Sequence, residues 1–248
     1  MGGQADGRSG GTLAWCTALL SAAGLLTAFP PDRLTAQVGH EPGQSPYHDV
    51  RRGGVGVLTF GYLGGSRGSV DVGLSDGKTG GIRYEVLFGA IGASLGLAYG
   101  RTNRYVVNPF RDTLSRKTGP SNNDVVLADA GLQLVLTGRK TWRGFAPYVG
   151  GALGVAIGST SPRDSGGYKF GTKFTIAPNA GLRWYPARRL SVRGDFRLVL
   201  WKLNYPLSYR VPGPTGCTTD CSVVVPATAS LTDWTAHPWT TIGVGWTF

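Results

Sequence analysis

The stretch that decides the fold is the last one: Thr240-Thr241-Ile242-Gly243-Val244-Gly245-Trp246-Thr247-Phe248. Apolar or aromatic side chains stand at every second position, at Ile242, Val244, Trp246 and Phe248. Small or polar residues fill the positions between. A period of two is the signature of a β-strand with one apolar face.

The same period recurs upstream. Leu190, Val192, Phe196, Leu198 and Leu200 share one face, while Ser191, Arg193, Asp195 and Arg197 share the other. Phe174, Ile176, Ala180, Leu182 and Trp184 alternate with Lys173, Thr175, Asn179 and Arg183. Ile82, Tyr84, Val86 and Phe88 alternate with Arg83, Glu85 and Leu87. Val126 to Leu136 alternates with Asp129, Gly131 and Gln133, and Val149 to Ile157 with Gly150 to Ala156. Eight strands are predicted, at 54–63, 79–89, 91–105, 124–137, 145–158, 171–185, 189–203 and 238–248. Each is long enough to cross a bilayer on a tilt.

Connections alternate in length. Short turns fall at Gly89–Ala90, Gly138–Gly144 and Pro186–Arg188. Long connections fall at 64–78, 106–123, 159–170 and 204–237. Short turns on one side and long loops on the other mark an up-and-down transmembrane barrel. The fold class predicted is therefore all-β, an eight-stranded antiparallel up-and-down transmembrane β-barrel. Alternation alone also fits a soluble cup with its apolar face inward. Strand length, a Gly-rich charged face and the terminal strand favour the membrane.

The amino end carries Arg8 before the uncharged apolar run Leu13–Phe29, with small residues at Thr35–Ala36. This pattern predicts a cleaved signal peptide over 1–36. A polar periplasmic tail over 37–52 and the barrel over 53–248 follow. No long apolar run occurs after the leader, which excludes a helical membrane protein. The chain has 40 Gly and a formal net charge of +11. Glycine at this level without a triplet period excludes collagen and suits close strand packing. In an exported chain the basic surplus points to phosphate-bearing lipid rather than nucleic acid.

Export also sets the redox setting. Cys217 and Cys221, spaced C-x-x-x-C, are expected to form a local disulfide that stiffens a loop tip. No metal, cofactor or catalytic set is predicted.

The terminal strand resembles the targeting signal of bacterial outer-membrane barrels, carried here by Ile242, Val244, Trp246 and Phe248. The whole chain from Gln37 resembles the small eight-stranded superfamily that includes the outer-membrane protein A barrel and outer-membrane proteins X and W. The resemblance implies a cell outer membrane location in a diderm bacterium and delivery by the β-barrel assembly machinery. It implies contact with outer-membrane lipid, including lipopolysaccharide, and a monomer.

On the inward face the expected filling is a charged network of Arg83, Glu85, Asp129, Gln133, Lys173, Arg183, Arg193, Asp195 and Arg197. An eight-stranded barrel is just wide enough for side chains to fill it, and buried charges need partners. Phe88, Phe145, Trp184 and Phe248 are expected at one membrane rim. Tyr105, Trp201, Tyr205 and Trp239 are expected at the other, as aromatic girdles. The function expected is structural or surface-interacting, through the loops. A narrow small-solute channel is one alternative. A lipid A-modifying enzyme is another, for which Ser230, Asp233 and His237 could be drawn as a nucleophile set.

Overall fold

The computed structural model describes residues 45–50, 53–160, 164, 166–212 and 222–248. Pro46–Phe248 forms one unit. The signal peptide and the Cys217–Cys221 pair lie outside the described residues.

Ten strands follow in chain order: β1 (Tyr47–Asp49), β2 (Gly54–Leu63), β3 (Ser75–Phe88), β4 (Ile91–Val107), β5 (Lys117–Val135), β6 (Lys140–Trp142), β7 (Phe145–Gly158), β8 (Gly171–Trp184), β9 (Leu190–Asn204) and β10 (Thr232–Thr247). A short 3-10 helix, Leu207–Arg210, lies in the last long loop. All pairings are antiparallel. The last strand closes on the first long one, from Trp239↔Leu63 to Thr247↔Val55. The ring therefore runs β2-β3-β4-β5-β7-β8-β9-β10 and back to β2. It has eight strands and no open edge, so each strand pairs on both sides.

The predicted strand positions hold, but three strands begin earlier, β3 at Ser75, β5 at Lys117 and β10 at Thr232. These extensions stand at the long-loop end and carry mixed, polar residues such as Lys117–Asp124. The period of two fades there because neither face is uniformly apolar.

β1 and β6 had no sequence signal. Three residues are too few to show a period. The segment read as a plain tail instead adds a strand to the β6–β7 hairpin, with Tyr47↔Trp142, His48↔Thr141 and Asp49↔Lys140 in register.

The polarity of the barrel is inverted relative to a soluble one. On β3, Ile82 is 58% exposed and its neighbour Arg83 only 8%. Leu58, Phe60, Leu95, Leu132, Leu153, Phe174, Phe196 and Ile242 likewise point outward and are exposed. A continuous belt of this kind far exceeds the apolar patch a soluble monomer carries. With every strand paired, it meets the demand that lipid places on backbone polar groups.

Inward small residues make room for the large charged ones. A Cβ on Gly181 would sit 2.4 Å from the Tyr148 hydroxyl, and one on Gly154 would sit 2.2 Å from the Ala128 carbonyl oxygen. Glycine on β7 and β8 is thus what lets Tyr148 and the Asp129 strand approach so closely.

Candidate functional site

The lower lumen, toward the short turns, is filled by one ionic cluster. Glu85 on β3 is gripped by two arginines: Arg183 on β8 donates through Nη2 at 2.8 Å, and Arg193 on β9 donates to the other carboxylate oxygen. Arg193 also holds Asp195, through Nε at 2.7 Å and Nη2 at 2.6 Å. The Tyr148 hydroxyl donates to Asp195, and the Arg183 guanidinium lies 4.5 Å from the Tyr148 ring centroid. One layer up, Arg197 reaches Asp129 at 3.2 Å and Arg83 lies 3.6 Å from it. Four arginines thus share three carboxylates. Arg83 Nε, Arg183 Nη1 and Arg197 Nε have no hydrogen-bond partner among the described residues.

These residues meet because strand parity sends them all inward and strand tilt brings them to one height. Their charges repay desolvation only through this mutual pairing. Gln133 and Lys173 also point inward and are buried, yet neither joins the cluster. Lys173 lies 6.0 Å from the Phe170 ring centroid, nearer the loops, and Gln133 Nε2 is unpartnered among the described residues. Tyr148 was missed by the sequence reading. It shares parity with Ala146, Gly150 and Ala152, and that small-residue face was the signal for an inward position.

The upper lumen is closed by a different material. Long loops fold back over the mouth and bury Val72, Leu74, Tyr168, Phe170, Tyr205, Tyr209 and Val225 against Leu63, Trp201, Leu203 and Trp239. Trp201 stacks on His237 at 3.8 Å, and Phe170 meets Trp201 edge-on at 5.6 Å. Arg104 ties the loops down. It bonds Asn123 Oδ1 at 3.0 Å and both oxygens of Asp164, and its guanidinium lies over Tyr168. Burial pushes the phenols of Tyr168 and Tyr209 well above tyrosine's ordinary range, with the nearby Arg104 charge opposing.

Three aromatic residues expected at the membrane rim, Trp201, Trp239 and Tyr205, belong instead to this interior. Trp201 is fully buried and Trp239 nearly so. Trp201 stands four residues after Arg197 on the same strand, so it shares the inward face. Trp239 shares parity with Thr241 and Gly243, opposite to Trp246 and Phe248. Its indole nitrogen donates to Thr79 Oγ1 at 2.9 Å, and the Arg197 guanidinium lies over its ring. Tyr205 is likewise buried in the plug, and Tyr105 is half-buried beneath Lys117 and Arg67. By contrast Phe88, Phe145, Trp184 and Phe248 face outward at the short-turn end, with Phe145 and Trp184 stacked at 6.2 Å.

Ser230, Asp233 and His237 are not brought together. His237 Nε2 is bonded with Thr235 Oγ1 at 2.9 Å and Nδ1 with the Gly64 carbonyl at 3.2 Å. Asp233 accepts from the Ser69 amide at 2.8 Å, and Ser230 pairs with Thr232. Among the described residues no group of three His, Cys, Asp or Glu side chains is placed to hold a metal.

A closed eight-stranded ring with charges packed inside and an apolar belt outside defines the class: a transmembrane β-barrel with a filled lumen. No protein-family model matches the sequence, and no curated protein does. The solved structures to which the chain is similar include three bacterial surface or outer membrane proteins. One is the outer membrane protein OprG from Pseudomonas aeruginosa, at 14% identity over 80% of this chain and 97% of that one, with a TM-score of 0.47. Another is Neisserial surface protein A, at 11% identity over 82% and 98%, also 0.47. The third is Ail, the attachment invasion locus protein of Yersinia pestis, at 14% identity over 79% and 99%, with a TM-score of 0.34. The assignment of fold rests on this chain's own strand pairing and inverted polarity.

Proposed function

We propose that this chain is an outer-membrane barrel of a diderm bacterium that serves as a rigid scaffold for its external loops, which meet the envelope exterior and lipopolysaccharide. The observation that carries this reading is the doubly filled lumen. An ionic cluster occupies one half and an aromatic plug the other, so transport would require rearranging both. A rigid, closed barrel is a support for loops, where binding residues commonly reside. Arg111 and Arg116 on the 108–116 connection, with Lys117 at the start of β5, supply cations for lipid A phosphates, which arginine matches with paired hydrogen bonds; Lys117 is shared with Asp71, and Arg116 also donates to the Ser222 carbonyl at 3.0 Å. Arg111 and Lys117 are exposed, and Arg116 is half-buried. The short turns, the start of β2 and the end of β10 then face the periplasm, and Ile242, Val244, Trp246 and Phe248 present the outward strand that the assembly machinery reads.

The test is a set of measurements on refolded protein. Planar-bilayer recordings are expected to show no conductance steps; discrete steps would replace this reading with the narrow channel. Titration with lipopolysaccharide is expected to protect the 108–116 connection from protease, while dephosphorylated lipid A protects it less. Equal protection by both would remove the loop–phosphate part. Mass spectrometry showing altered acyl chains on lipid A would instead establish a lipid-modifying enzyme.

A further inference from the structure

Carboxylates are plentiful at the long-loop end of the barrel and scarce at the short-turn end, though Lys78, Lys169 and Lys202 at the long-loop end also form no ion pair among the described residues. At the long-loop end Arg67 pairs with Asp76, Arg101 with Asp124, Arg104 with Asp164 and Lys117 with Asp71. At the short-turn end Arg139, Lys140, Arg143, Arg188 and Arg189 are all exposed. Among the described residues none of these five forms an ion pair, and the one acidic side chain there is Asp49, across from Lys140.

These cations are gathered onto adjoining turns by the fold. The Tyr185 amide donates to the Gly144 carbonyl at 2.9 Å, which ties the 185–189 turn to the β6–β7 hairpin. Arg139 reaches across to the 89–90 turn, where its Nε lies 3.2 Å from the position a Cβ on Gly89 would take. The β1 strand braces the hairpin: the Val50 amide donates to the Arg139 carbonyl at 2.9 Å, and the Arg143 amide to the Pro46 carbonyl at 2.7 Å. Arg143 sits at φ +50, a strained position for a residue with a Cβ, and its guanidinium lies 5.4 Å from the Trp142 ring centroid.

Directly beside this charge runs an apolar groove of about 570 Å³, lined by Tyr47, Thr137, Trp142, Phe145, Pro147 and Leu182. Phe145, Pro147 and Leu182 belong to the outward, lipid-facing side of β7 and β8. Trp142 therefore joins the groove on one side to the cation Arg143 on the other. An apolar channel that opens toward the bilayer and ends on uncompensated cations matches one kind of molecule, a lipid with an anionic head.

We propose that the short-turn rim is a binding site for an anionic phospholipid. Its phosphodiester meets Lys140, Arg143 and Arg188, and an acyl chain lies in the Tyr47–Trp142–Leu182 groove. The β1 strand is part of the site, because Tyr47 forms one wall and the β1–β6 pairing holds the hairpin in place. This inference rests on the membrane-barrel reading above.

Native mass spectrometry of the refolded full chain, offered equal phosphatidylglycerol and phosphatidylcholine, tests it. Heat-shifted gel migration and insertion into phosphatidylcholine vesicles are checked first; failure there sinks the membrane reading itself. The wild type is expected to retain phosphatidylglycerol preferentially. Lys140→Gln/Arg143→Gln/Arg188→Gln is expected to lose that preference, roughly fivefold for each charge removed. The same number of changes at the other end, Arg101→Gln/Lys169→Gln/Lys202→Gln, should leave it intact. Glycerol phosphate without acyl chains should not displace the lipid, and Trp142→Ala should weaken retention. Where the triple variant does not fold, Arg143→Gln alone and loss of the wild-type preference in high salt give the same answer. Equal retention of the two lipids by the wild type, or unchanged preference in a folded triple variant, overturns the proposal, as does displacement by glycerol phosphate.

Discussion

Glu85 on β3 and Arg193 on β9 stand three strands apart around the ring, and their side chains meet inside the barrel as an ion pair. A contact of this kind ties strands that no backbone ladder joins. It also makes the lumen a single electrostatic unit, since Arg193 passes the contact on to Asp195 and Tyr148.

Removing Glu85 alone should therefore be costly. Glu85→Leu leaves Arg183 buried without its carboxylate, and a loss of about 3–5 kcal/mol is expected for breaking a buried pair from one side. Glu85→Leu/Arg183→Leu should cost less than Glu85→Leu by itself, because it removes both members. Urea unfolding of the refolded protein in micelles, followed by tryptophan fluorescence, decides the matter. A double variant weaker than the single one would show that Arg183 has another anchor.

Tryptophan positions can be read by contact with lipid. Trp184 and Trp246 face outward and should be quenched by brominated acyl chains in single-tryptophan variants. Trp201 and Trp239 should be protected from the same quencher. Efficient quenching of Trp201 would return it to the membrane rim and dissolve the plug.

The plug should weaken in alkali. Burial holds the phenols of Tyr168 and Tyr209 above the ordinary 10.0, so the folded state keeps protons that the opened state releases. Their contribution is complete below pH 10 and falls as pH rises past it. Absorbance at 295 nm should show the exposed tyrosines titrating first. Tyr168→Phe/Tyr209→Phe should shrink the late fraction, to which Tyr205, also raised by burial, still contributes. Simultaneous titration of all tyrosines near 10 would mean the loops do not cover the mouth.

Phe248 is exposed on the outside, and its amide donates to the Gly54 carbonyl at 3.0 Å. Phe248→Ala should therefore change the stability of refolded protein by less than about 1 kcal/mol, as surface changes do. In cells it should reduce the folded fraction in the envelope, seen as heat-shifted migration on gels. Unimpaired assembly would show that the terminal side chain is not read.

The sequence by itself determined the strands and which face each side chain takes. Both follow from a period of two, a local property that eight long segments repeat. It therefore also determined that Arg83, Glu85, Asp129, Arg183, Arg193, Asp195 and Arg197 point inward. Parity already placed Trp201 with Arg197 and Trp239 with Gly243; reading them as rim residues gave height along the strand more weight than face. The three-residue strands β1 and β6 were too short to carry any period. Only the tertiary structure decided which inward charges touch, because that depends on the stagger between strands far apart in the chain. It decided as well that the long loops turn back into the mouth and that Tyr148 reaches Asp195. The same holds for the terminal strand ending at Phe248. Its alternation fixed an outward apolar face, while its closure onto β2, from Trp239↔Leu63 to Thr247↔Val55, needed the whole ring to curl.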